Sequence, residues 1–141
     1  MTIKSRGIGY EYLRKGGKHM GWNLDDSRPI WPQLKERLMK DIVGGRYVMG
    51  GPFPTVRDLA EEAGVNRNTM QRALSELESE GLVITNRTAG RTVTTDEELV
   101  AETKAAIAAD NVGRFMDEMA SLGFSAEEVI DIIKKKGAVN R

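Results

Sequence analysis

Cysteine is absent from this chain of 141 residues, and histidine occurs once, as His19. The first absence removes disulfides, thiol catalysis and Cys-ligated metal sites. The second removes any His-rich metal site and leaves few acid–base options near neutral pH. Neither a metal nor another cofactor is expected. No apolar run approaches the ~20 residues that a membrane helix needs, so no membrane partner is expected either. The N-terminus lacks the apolar stretch of a secretory signal, and the expected location is cytoplasmic. Net charge is absent too, with 21 Lys+Arg balancing 21 Asp+Glu. Nucleic-acid binders are usually basic, so that balance stands against one until its distribution is known. What remains is ordinary for a folded protein: 40% hydrophobic and 30% charged residues, in a length that fits one small domain with an appendage.

The neutrality is a sum over unlike parts. Residues 1–19 carry five bases (Lys4, Arg6, Arg14, Lys15 and Lys18) and one acid, Glu11. Residues 20–95 carry ten of each sign, and residues 96–141 carry six bases against ten acids. The first stretch has no helical or strand period and contains Gly7, Gly9, Gly16 and Gly17, so it reads as a flexible basic tail. Such a tail can also serve as a DNA-binding arm. A third reading treats it as translated leader. Lys15-Gly16-Gly17 can be encoded as AAA-GGA-GGN, similar to a bacterial ribosome-binding sequence, two codons before Met20.

Beyond it, Ile30, Leu34, Leu38 and Ile42 recur at four-residue spacing and predict a helix over 29–43, stopped by Gly44-Gly45. Thr55, with Asp58 three residues later, opens a short helix to Ala63. Gly64 then suits a left-handed turn. Asn66 is a good N-cap for a further helix to Gly81, whose inner face is Met70, Ala73, Leu74 and Leu77. Its outer face presents Asn68, Gln71, Arg72 and Ser75, with Arg67 at the edge. Two β-branched runs, 82–85 and 92–95, predict a hairpin with Arg87 and Arg91 at or near its tip and Gly90 in the turn.

A short helix, a glycine turn and a second amphipathic helix make a helix-turn-helix. With the hairpin, the expected fold is mainly α, a winged helix-turn-helix over 20–95. The second helix is then free to enter a major groove, where Arg, Asn and Gln pair with base edges. Arg67, Asn68, Gln71 and Arg72 hold those positions, while Thr55, Arg57 and Thr69 suit phosphates.

This stretch resembles the DNA-binding domain of the GntR family of bacterial transcription regulators. The resemblance rests on Pro29-Ile30-Trp31, Gln33-Leu34, Gly45, Tyr47, Pro54-Thr55-Val56-Arg57-Asp58-Leu59-Ala60, Val65-Asn66-Arg67-Asn68-Thr69, Ala73-Leu74, Leu77, Gly81-Leu82 and Gly90. Trp22-Asn23-Leu24-Asp25 and the short C-terminal part are similar to the YtrA-like subfamily. The resemblance implies DNA contacts by Arg57, Asn66, Arg67, Asn68 and Gln71, and a close approach of the Gly90 backbone to the minor groove. It also implies a homodimer and regulation of a transporter operon. Two departures stand out. The usual Gly-x-Gly wing tip is Thr88-Ala89-Gly90, and the usual tyrosine after Pro-Ile is Trp31.

Residues 96–141 read as a helix to Leu122, with a bend near 111–113, then a capping box at Ser125-Glu128 opening a last helix closed by Lys134-Lys135-Lys136. They are too few for an independent ligand-binding domain. Ile107, Val112, Phe115, Met116, Met119, Leu122, Val129, Ile130 and Ile133 form apolar faces that need partners. They can pack back on the winged helix or pair with a second subunit. Pairing is the expectation, because a dimer links two half-sites.

No enzyme signature is present. Asp25-Asp26 and Glu61-Glu62 are adjacent residues that do not converge, and the glycine pairs lack a following Gly-Lys-Ser/Thr. The expected function is sequence-specific binding of a double-stranded, roughly palindromic operator as a homodimeric repressor, with any small-molecule effector left open. The alternatives are a winged helix used for protein–protein assembly or for RNA.

Overall fold

A computed structural model describes residues 21–139. The basic tail and the start at Met20 fall outside the described residues.

Helix α1 spans Ile30–Val43, preceded by Pro29 in extended conformation. Pro32 is its third residue, where a missing N–H forfeits no intrahelical bond. Leu34, Leu38 and Ile42 face inward, as their spacing predicts. Helix α2 spans Val56–Ala63; the Thr55 hydroxyl accepts from the Asp58 amide at 3.1 Å. Gly64 then takes φ +74°, a left-handed conformation that costs other L-residues about 1 kcal/mol or more. That turn lets the Val65 amide donate back to the Ala60 carbonyl at 3.0 Å and starts the next helix at a sharp angle. Helix α3 spans Arg67–Ser79, and Asn66 Oδ1 accepts from the Asn68 amide at 2.7 Å. It stops two residues before Gly81, where the Leu82 amide turns back to the Leu77 carbonyl.

Strands β1 (Val83–Asn86) and β2 (Gly90–Val93) pair antiparallel, Val83 opposite Val93 and Asn86 opposite Gly90. Both lie closer to the turn than the sequence pattern predicts. The residues at the base have other tasks. Thr94 donates its amide to Leu82, and its hydroxyl accepts from the Asp96 amide ahead of the next helix. The loop before α2 also contributes. Gly50 and Phe53 donate to the Val93 and Arg91 carbonyls, so β2 is flanked on both sides.

One core unites these elements. Leu34, Leu38, Leu59, Met70, Leu74 and Leu77 are completely buried, each such side chain contributing about 1.5–3 kcal/mol. Leu99 of the following helix packs against them, and the first compact unit extends to Glu102. A ring of polar contacts fastens the leading segment. Trp22 Nε1 donates to Glu62, Arg46 bridges Glu62 and Asp41, and Arg37 joins Asp41 while stacking on the Trp22 ring. Burial pushes the Asp41 carboxyl above its ordinary value against the pull of both arginines.

The second unit begins at Thr103. Helix α4 spans Glu97–Ser121 and α5 spans Ala126–Val139. The bend expected near residues 111–113 does not interrupt the helical hydrogen bonding, since one internal glycine costs only about 1 kcal/mol. The Ser125–Glu128 box forms reciprocally, each side chain accepting from the other's amide at 3.1 and 2.9 Å. Helix α5 continues past Lys136 to Val139. No helix among the described residues is long and apolar enough to cross a membrane.

Candidate nucleic-acid interface

Helix α3 turns its apolar side into the core and leaves the other side free. At about 100° per residue, Asn68, Arg72 and Ser75 stand opposite Met70 and Leu74, with Gln71 and Arg67 progressively toward one flank. All five are exposed. Asn66 and Thr69 sit in the same first turn; the Asn66 side-chain oxygen is engaged as the cap, while Thr69 is half-buried. Gln71 Nε2 donates to the Ser75 hydroxyl at 3.2 Å, which aligns two neutral groups along the exposed face. Thr55 and Arg57 lie exposed at the start of α2.

The arginines divide sharply. Arg28, Arg37, Arg46, Arg91 and Arg114 are each paired with a carboxylate. Among the described residues, Arg57, Arg67, Arg72 and Arg87 have no carboxylate partner and no hydrogen bond. All four belong to the helix-turn-helix and the hairpin turn. An exposed guanidinium without a partner is a ready donor for phosphate or guanine.

A sequence profile for bacterial regulatory proteins of the gntR family matches residues 32–93. The chain is 33% identical over 111 residues to an uncharacterized HTH-type transcriptional regulator, YhcF, of Bacillus subtilis, covering 79% of this chain and 92% of that protein. This chain belongs to the gntR family. The HTH-type transcriptional repressor NagR of B. subtilis is 32% identical across 75% of this chain, which spans 41% of NagR. A solved GntR family transcriptional regulator from Listeria monocytogenes superposes with a TM-score of 0.73 at 36% identity, over 79% of this chain and 98% of that one. The protein is therefore a DNA-binding transcription regulator, not an enzyme, and the winged helix expected from the sequence is the observed fold.

Within this gntR-family regulator, two side chains to which the sequence assigned no interface role shape the candidate interface. The first is Glu78, toward the C-terminal end of α3. It accepts from Arg91 Nε and Nη2 at 3.3 and 3.2 Å and from the Thr85 hydroxyl, so it ties α3 to both strands of the wing. Arg91 is next to Gly90, near the tip as expected. It lies within β2 opposite Thr85, and its guanidinium is already occupied. Arg87 is left as the exposed base of the turn beside Gly90, whose φ of +73° favours glycine. The strands lie one and two residues nearer the turn than the predicted runs, and in the observed pairing Arg91 reaches Glu78. The second side chain is Trp31 of α1, whose ring carries the Arg72 guanidinium at 4.4 Å. Arg72 leans away from the row formed by Arg67 and Gln71.

Glu78→Ala should remove about 1 kcal/mol of stability, because the pair is only partly shielded from water. It should also loosen the wing. Urea titration, together with loss of amide-exchange protection confined to 83–93, checks this. Unchanged protection there would show that the wing holds itself.

Proposed function

We propose that this regulator is a homodimeric repressor of the YtrA-like kind, acting in the cytoplasm on a roughly palindromic operator. The observation that carries the proposal is that, among the described residues, the carboxylate-free arginines are confined to the helix-turn-helix and wing turn. Arg67, Asn68 and Gln71 read base edges in the major groove. Thr55, Arg57, Asn66, Thr69 and Ser75 meet the phosphate backbone around it, with Arg87 and Gly90 reaching the neighbouring groove. Arg91 serves the wing through Glu78. The Trp22-Asn23-Leu24-Asp25 segment and the short C-terminal part support the YtrA-like assignment.

The case for a homodimer is the bare apolar surface of the second unit. Val112, Phe115, Leu122, Ile130 and Ile133 are exposed, with Leu122 at 71%. Ile107, Met116 and Met119 are half-buried. Val129 departs from the expectation of a partner-facing residue. It is 1% exposed within the single chain, so the interface is built from its neighbours. Contiguous apolar surface of this kind marks an interaction site. Repression is the favoured outcome, since a dimer lying across two major grooves of a promoter would block access to it.

Selection of duplexes from a random pool by the purified full-length protein tests this reading. The enriched sequences should show two-fold symmetry, with half-sites separated by about one helical turn. Arg57→Ala should weaken every duplex alike and reduce the salt slope by about 0.9 for each phosphate no longer neutralised. Enrichment of asymmetric single sites would overturn the dimeric arrangement. Failure to enrich any duplex, with salt-dependent capture of structured RNA, would replace DNA by RNA as the ligand.

A further inference from the structure

We infer that Trp31 is a positioning residue for DNA contact, holding Arg72 as a clamp on a phosphate at the wall of the major groove rather than as a reader of bases. The inference rests on the placement of α3 in that groove and extends it.

The geometry has three parts. Arg72 and Glu78 leave α3 about 120° apart around the helix axis. Glu78 reaches the wing, through Arg91 and Thr85. Arg72 reaches the other flank, where its guanidinium stacks on Trp31 in the first turn of α1. The recognition helix is thus braced on both sides, and the row Arg67 and Gln71 stands apart from Arg72. Bases form the floor of a groove and phosphates form its walls, so a side chain drawn to the flank meets the backbone.

Stacking also leaves the chemistry intact. A guanidinium engages an aromatic ring through its face and keeps its N–H donors in the plane. Among the described residues Arg72 has no hydrogen bond or ion pair, so those donors remain available. The ring supplies what a flexible side chain lacks, a fixed direction before DNA arrives. Part of the rotamer entropy normally lost on binding is then lost already in the free protein. Lysine at 72 would keep the charge but not the planar stack.

The test compares the full-length wild type with Trp31→Ala, Trp31→Phe, Arg72→Ala, Arg67→Ala and the Trp31→Ala/Arg72→Ala double variant. The probes are a duplex enriched by the wild type from a random pool and an unrelated duplex of equal length. Arg72→Ala and Trp31→Ala should each weaken both duplexes by about three- to tenfold and flatten the salt dependence. The double variant should be no weaker than Arg72→Ala. Trp31→Phe, which keeps an aromatic face and safeguards against a folding defect in the alanine variant, should recover most of the loss. Repeating the selection with Arg72→Ala should return the wild-type consensus. Trp31 is half-exposed whereas Trp22 is buried, so DNA should change wild-type tryptophan emission far more than that of Trp31→Phe. Wild-type binding by Trp31→Ala beside a weakened Arg72→Ala would overturn the inference, and so would an altered consensus for Arg72→Ala. Wild-type binding by both Arg67→Ala and Arg72→Ala would instead overturn the placement of α3 beneath it.

Discussion

Phe115→Glu is expected to convert the regulator to a monomer and lower its operator affinity by about 10²–10⁴-fold. Phe115 lies on the stripe of α4 that includes Val112 and Met119, and it is 41% exposed in the single chain. The helix has 25 residues and buries none of them completely. A charge at the centre of a face that pairs with its own copy is met by the same charge two-fold related, so repulsion adds to the desolvation cost. The fold of each subunit should survive, because the substitution touches none of the core over residues 22–93. Affinity falls although every DNA-facing side chain is still in place. In a dimer the second half-site is bound intramolecularly, and a monomer forfeits that effective concentration. Sedimentation and titration of a full operator against a single half-site separate these effects. The half-site affinity should match that of one wild-type subunit. Retained dimer mass with Phe115→Glu would move the pairing surface elsewhere, to α5 and its exposed Ile130 and Ile133.

What the sequence discloses follows the range of the interaction. Helix caps, the left-handed glycine and the apolar stripes are local, and Thr55, Gly64, Asn66 and Ser125 act as their spacing predicts. The hairpin was legible as an element, but not its register, because tertiary bonds at Leu82 and Thr94 decide where the ladder begins. Arg91 stays near the tip, but its pairing with Glu78 is a tertiary contact that no local pattern discloses. Trp31 and Arg72 are 41 positions apart, and no periodicity relates them; only the packing of α1 on α3 brings them together. The zero net charge was likewise informative only after pairing was known. Among the described residues, five arginines are paired with carboxylates, and those left without one are the residues proposed above to meet DNA.

Arg67→Ala should cost about 1–3 kcal/mol per half-site and relax base preference at one position of each. A symmetric dimer carries the substitution twice, so the full operator should lose about 2–6 kcal/mol, between roughly 30-fold and 10⁴-fold. Duplexes of unrelated sequence should lose much less, because nonspecific affinity comes mainly from phosphates. The free protein should respond in the opposite sense. Arg67 is the first residue of α3, where the helix dipole disfavours a positive charge by about 0.3–1 kcal/mol and no acidic residue in the first turn compensates. Its removal should therefore leave the thermal midpoint unchanged or slightly raised. A stability gain beside an affinity loss cannot come from damage to the fold. It is the signature of a charge kept at an unfavourable place for the sake of an electronegative partner, the guanine edge or phosphate that would fill the N-terminus of α3.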